Sequence, residues 1–120
     1  MGSLLVNITH GPEHPFRAAL GLLVAKTAAS EGHDVSVFLA GDGVQLIRDA
    51  VLDSLVGLGS GAAREHFDDL TKTGAKIYLS GLSSKARGVT DADLEGKQAE
   101  FVMPTELVRL IMECDKTVVY

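Results

Sequence analysis

Short apolar runs alternate with longer helix-like segments along this chain, and that alternation leaves few folds open. Leu4-Leu5-Val6-Asn7-Ile8, Val35-Ser36-Val37-Phe38-Leu39, Lys76-Ile77-Tyr78-Leu79 and Lys116-Thr117-Val118-Val119-Tyr120 read as strands, with residues 100–103 a weaker fourth in sequence order. Between them, residues 16–29 are almost continuously apolar and Ala-rich, opened by Pro15 at a first-turn position and closed by Gly32. Residues 44–55 and 62–71 read as two further helices separated by a flexible Gly57-Leu58-Gly59-Ser60-Gly61 hinge. A short helix is expected at 83–87, a capping box at Thr90-Asp91-Ala92-Asp93 and a helix at 104–113. Strands that alternate with helices imply an α/β fold: three layers, α/β/α, around a mostly parallel sheet of about five strands, flavodoxin-like in style. The pattern does not give the strand order. In such a sheet ligands collect beyond the carboxyl ends of the strands.

Length and composition narrow the function. With 120 residues the chain has room for one core, so one domain over 1–120 is expected. A net charge of −5 without a basic block argues against nucleic acid and against an anionic membrane as partner. No run approaches the ~18 apolar residues of a membrane span. The first residues lack the basic start of a secretory leader, and a lone cysteine cannot form an internal disulfide. A reducing, cytoplasmic setting is the resulting expectation.

Three segments fall at the predicted strand ends: 10–15, 41–43 and 80–87. His10-Gly11-Pro12-Glu13-His14 fits the H-x-x-E-H metalloprotease pattern, but that pattern needs a helix to align its histidines, and Gly11-Pro12 opposes one. The simpler reading is a turn that caps the next helix, or a pocket wall whose histidines titrate near neutral pH. No metal or other cofactor is expected. Gly57-Leu58-Gly59-Ser60-Gly61 matches neither phosphate-binding glycine motif and does not follow a strand. Ser80, Ser83, Ser84, Lys85 and Arg87 form the more specific cluster. A strand-to-helix turn with two cations suits an anion, although serines that cap and cations that pair with acids would look the same. A serine there needs a general base before it can attack, and the sequence identifies none. Cys114 falls before the last strand, at the opposite end of the sheet.

The motifs in their order resemble the DsrE/DsrF-like proteins: Thr9-His10-Gly11-Pro12-Glu13, Arg17-Ala18-Ala19, Glu31-Gly32-His33, Gly41-Asp42-Gly43-Val44, Ile77-Tyr78-Leu79-Ser80-Gly81, Lys85-Ala86-Arg87-Gly88-Val89 and Cys114-Asp115-Lys116-Thr117-Val118-Val119-Tyr120. The resemblance implies the three-layer fold, a homo- or hetero-oligomer, and kinship with sulfur-relay subunits. It also implies a persulfide-bearing cysteine eight residues before the glycine of the Arg-Gly pair; here that residue is Ser80. Serine cannot carry a persulfide.

The expectation is therefore a non-enzymatic subunit, self-associating, that binds a small anion or a protein partner. The binding residues are expected among His10, Glu13, His14, Asp42, Ser80, Ser83, Ser84, Lys85 and Arg87. Two alternatives stand beside it: a hydrolase or metal enzyme using Ser80 or the histidines, and sulfur transfer through Cys114.

Overall fold

The computed structural model describes residues 2–120. The chain begins with β1 (Ser3–Ile8), α1 (Pro15–Ser30), β2 (Asp34–Leu39), a 3-10 segment (Gly41–Ile47) and α2 (Asp49–Ser54). Two very short strands, β3 (Val56–Gly57) and β4 (Gly61–Ala62), precede α3 (Ala63–Lys72), β5 (Lys76–Ser80) and α4 (Gly81–Ala86). A 3-10 turn (Asp91–Leu94), β6 (Ala99–Val102), α5 (Pro104–Glu113) and β7 (Lys116–Val119) complete it.

Five strands form the main sheet in the order β6-β5-β2-β1-β7, and every neighbouring pair is parallel. Val6 stands opposite Val37 and Val118, and Val37 opposite Ile77. The chain steps from β1 through β2 and β5 to β6, then returns across the whole sheet to place β7 on the other side of β1. Crossovers between parallel strands are right-handed. The outward steps therefore lay their helices on one face, and the single return lays α5 on the other.

The side-chain alternation of the strands records this division. Val6, Ile8, Val37, Leu39, Ile77 and Leu79 point to the first face and pack with Ala18, Leu22 and Ala25 of α1 and Phe67 and Leu70 of α3. Leu5, Phe38 and Tyr78 point to the second face, where Leu110 of α5 covers them. The buried set on the second face is much the smaller of the two.

Helix α1 begins at Pro15 and ends in a Schellman arrangement, with Gly32 at φ 93° and His33 N–H reaching Ala28 O, as the Pro and Gly positions predict. The capping box at Thr90–Asp93 is also formed. Two expectations are corrected. The helix predicted over 44–55 is a 3-10 segment and a short α-helix, broken at Arg48 (φ −81°, ψ 130°). Val44, Leu46 and Ile47 are all buried, which one continuous α-helical stripe does not allow, and tighter winding does.

The glycine-rich stretch is no flexible hinge but a pinned hairpin. Ser60 Oγ donates to Phe16 O, and His66 Nε2 donates to Ser60 O at 2.7 Å. A Cβ on Gly57 would lie 2.0 Å from Ser60 Oγ, so this close approach needs glycine. The hairpin and α3 also cover the apolar surface of α1.

Candidate functional site

The loops after β1, β2 and β5 meet at the C-terminal edge of the sheet. Gly11 packs on the Asp42 carbonyl so tightly that a Cβ would sit 2.2 Å from that oxygen. Asp42 Oδ1 accepts from Arg87 Nε at 2.9 Å. Gly41 N–H donates to Ser83 Oγ at 2.9 Å, and Ser83 N–H donates to Ser80 Oγ at 3.1 Å. Arg87 Nη1 adds a bond to Ser83 O at 3.3 Å. Backbone closure of the first loop is supplied by Glu13, whose carboxylate accepts from Gly11 N–H at 2.6 Å and pairs with His10 Nδ1 at 2.7 Å. The His10 and His14 rings stand 5.1 Å apart, tilted by 58°.

Of the nine predicted residues, seven gather along this edge in two groups: His10, Glu13 and His14 on the first loop, and Asp42, Ser80, Ser83 and Arg87 across the second and third. The other two turn away from them. Ser84 is buried, its Oγ unpartnered, beside a cavity of about 430 Å³ lined also by Gly81, Val89 and Phe101. Lys85 is exposed at the rim of the same cavity. The H-x-x-E-H stretch is turn rather than helix, and no group of three or more His, Cys, Asp or Glu placed to hold a metal ion occurs among the described residues.

The electrostatics of the second group are close to self-cancelling. Asp42 neutralises Arg87, and the two serine hydroxyls are engaged with backbone N–H groups. Ser80 caps α4, and no histidine or carboxylate is hydrogen-bonded to its hydroxyl among the described residues. A serine so placed holds a turn and lacks the base that nucleophilic attack needs.

Cys114 caps the far end of α5, near Ser3 and Asp34, at the N-terminal edge of the sheet. Burial raises its pKa, and the negative charge of Asp34 raises it further. A thiol shifted in this direction is a poorer nucleophile at neutral pH.

A scan of family models matches the DsrE/DsrF-like family over residues 2–120. The chain belongs to the DsrE/DsrF-like family. An uncharacterized protein of Methanopyrus kandleri is 31% identical over 123 residues, covering 98% of this chain and 93% of that protein. The crystal structure of the E. coli ychN protein superposes with a TM-score of 0.81, covering all of both chains at 18% identity. That structural likeness speaks for the DsrE-like fold. No described helix is long and apolar enough to cross a membrane.

One residue on the same edge escaped the sequence reading of sites. Arg17, in the first turn of α1, is the only arginine of five without a hydrogen bond or ion pair among the described residues. The available signal was its place two residues after a helix-starting proline, where a cation opposes the helix dipole and calls for a reason.

Proposed function

We propose that this DsrE-like protein is a non-enzymatic binding subunit that takes a small anion or a protein partner at the C-terminal ends of its strands. The observation that carries the reading is Ser80. It occupies the position where the resemblance implies a persulfide-bearing cysteine, and its hydroxyl is spent on Ser83 N–H. The surrounding strand-to-helix turn is capped by that hydroxyl and holds no thiol. The family's link to sulfur relay makes a sulfur-metabolic partner or ligand the natural class. Sulfur transfer through Cys114 is disfavoured by its raised pKa and by its place at the opposite edge of the sheet.

Self-association belongs to the same reading. Val108, Ile111 and Met112 of α5 and Val119 of β7 are exposed around the thinly covered second face. A second copy is the occupant this proposal assigns to it.

The test is the pH dependence of alkylation in Ser80→Cys, with Cys114→Ala as background. Ser83 N–H at the first turn of α4 favours a thiolate even with Arg87 held by Asp42, so the midpoint should fall below the ordinary ~8.5. Adding Asp42→Asn frees the Arg87 charge and should lower the midpoint again. A midpoint at or above ~8.5 in both proteins would remove the strand-end anion reading.

A further inference from the structure

We propose that the junction of β1 and α1 binds a phosphate-type tetrahedral oxyanion, with Arg17 as its fixed cation. The inference goes beyond the reading above, because it uses a residue outside the Ser80–Arg87 network and moves the anion contact to another helix.

Arg48 engages Asp93, Arg64 engages Asp49 and Asp53, Arg87 engages Asp42, and Arg109 engages Glu106 and Glu113. Of the five arginines only Arg17 has no partner among the described residues, in a chain with 16 acidic residues against 11 Lys and Arg. Its Nε is sealed from solvent and unpartnered, whereas neither terminal nitrogen is among the buried, unpartnered atoms. A guanidinium keeps its charge at any working pH. Partial burial without a counter-charge is unfavourable, and an anion on the open nitrogens offsets that cost.

The nearest acid in sequence does not supply the charge. Glu13 precedes Arg17 by four residues, a favourable spacing within a helix. Pro15 starts the helix after it, so Glu13 lies outside the first turn. Both its carboxylate oxygens are already taken, by His10 and by Gly11 N–H.

Arg17 and Gly21 share a face of α1, and the missing Cβ of Gly21 would meet Ile8 at 2.7 Å and Tyr120 Cβ at 3.5 Å. Helical side chains lean toward the N-terminus. The Arg17 head therefore lies beyond the carboxyl ends of β1 and β7. Between those two strands the order of the sheet reverses, and the crevice at such a reversal is where doubly wound sheets receive ligands.

Helix α1 has 16 residues, its N-cap His14 makes no side-chain cap bond, and its first turn holds no acid. The backbone donors and dipole at this end are left for something else. Exposed His14, with His10 beside it, borders the same turn.

The test is a titration of inorganic phosphate at constant ionic strength, with chloride replaced as phosphate is added, read by ¹H–¹⁵N NMR including the arginine Nε region. Saturable shifts of the Arg17 Nε–H and of the Phe16 and Arg17 amides are expected. Arg17→Met, which keeps the apolar stem, should weaken binding by at least about tenfold, while Lys72→Gln, which removes one remote charge, leaves it unchanged. Arg17→Lys keeps charge without the fork and should fall between the two. Absence of saturable shifts, or equal binding by Arg17→Met, overturns the proposal. So does exclusion of phosphate together with loss of self-association in Arg17→Met, which would assign the site to a carboxylate of a second copy. None of these outcomes moves the alkylation midpoint of Ser80→Cys, so the two readings fail separately.

Discussion

On one face of the sheet Val6, Ile8, Val37, Leu39, Ile77 and Leu79 lie beneath α1 and α3; on the other, Leu5, Phe38 and Tyr78 lie beneath α5 alone. The strands are shared, so composition does not explain the difference. Connection order does. Three crossovers running outward furnish one face, and one return crossover furnishes the other. A ten-residue helix cannot roof five strands. Its flank leaves Val108, Ile111 and Met112 in solvent, and Asn7, which alternates with Leu5 toward this face, has a buried Oδ1 without a partner. One face thus carries most of the buried core, and the other keeps an exposed apolar flank.

The largest effect should come from the closed face. Leu22 and Leu79 are 1% and 0% exposed, with helix on one side and sheet on the other. Leu22→Ala or Leu79→Ala should cost about 2–5 kcal/mol, read from urea denaturation. Leu110→Ala on the thin face should cost less, since its cavity can collapse toward solvent. Equal losses at Leu22 and Leu110 would mean that the second face is as well packed as the first.

Next comes assembly. Ile111→Arg and Met112→Arg should convert an associated species to a monomer of 12.7 kDa in sedimentation velocity at micromolar concentration. Their effect on monomer stability should stay within about 0.5 kcal/mol, as for surface changes. A wild-type chain that sediments as a monomer would leave the exposed apolar flank of α5 without the role given to it.

The thiol provides a third, smaller probe. Cys114 lies where α5 ends on the thin face, with burial and Asp34 both disfavouring its thiolate. Its folded-state pKa is raised, so its contribution to stability is complete below the unfolded value and fades as pH rises through the folded one. Alkylation of the native protein should show a midpoint above ~8.5, and Asp34→Asn should bring it down. A midpoint below that value would return Cys114 to the candidates for sulfur chemistry.

The sheet was readable because its strands are short, apolar and flanked by Gly or Pro at the positions helix ends require. Pro15, Gly32 and Thr90–Asp93 each marked a boundary that local chemistry alone decides. The 3-10 segment was not readable: its buried Val44, Leu46 and Ile47 have meaning only once the strand beneath them is placed. The hairpin failed as a reading for a similar reason. Its pins, Ser60 to Phe16 and His66 to Ser60, join residues that composition gives no cause to connect. The strand-end residues were found from position in the fold, but their state was hidden. Nothing in the order Asp42, Ser80, Ser83, Arg87 says that these groups satisfy one another, or that Arg17 is the arginine without a partner among the described residues.

The smallest effects are expected in acid, where the two faces differ through their ion pairs. Asp49 accepts from Arg64 at 2.9 Å and pairs with Lys97 at 3.2 Å, and these bonds hold its carboxyl below the ordinary value. Arg64 also reaches Asp53 and Asp68, so the network joins α2, α3 and the segment after the second 3-10 turn. Glu106 is lowered as well, by Arg109, but both residues lie on α5. A depressed folded-state pKa gives stability that is present above the unfolded value and is lost as pH falls through the folded one. For both groups the window therefore opens below about pH 4. These carboxylates are exposed or, for Glu106, half-exposed, so salt should shrink the effect. Asp49→Asn removes a tie between elements, whereas Glu106→Gln removes one within a single helix. The acid limb of the stability profile should flatten more in Asp49→Asn than in Glu106→Gln, by urea melts between pH 2.5 and 6 at low salt. The reverse order would show that α5, despite its thin contact with the sheet, depends on its own charges more than the closed face depends on its network.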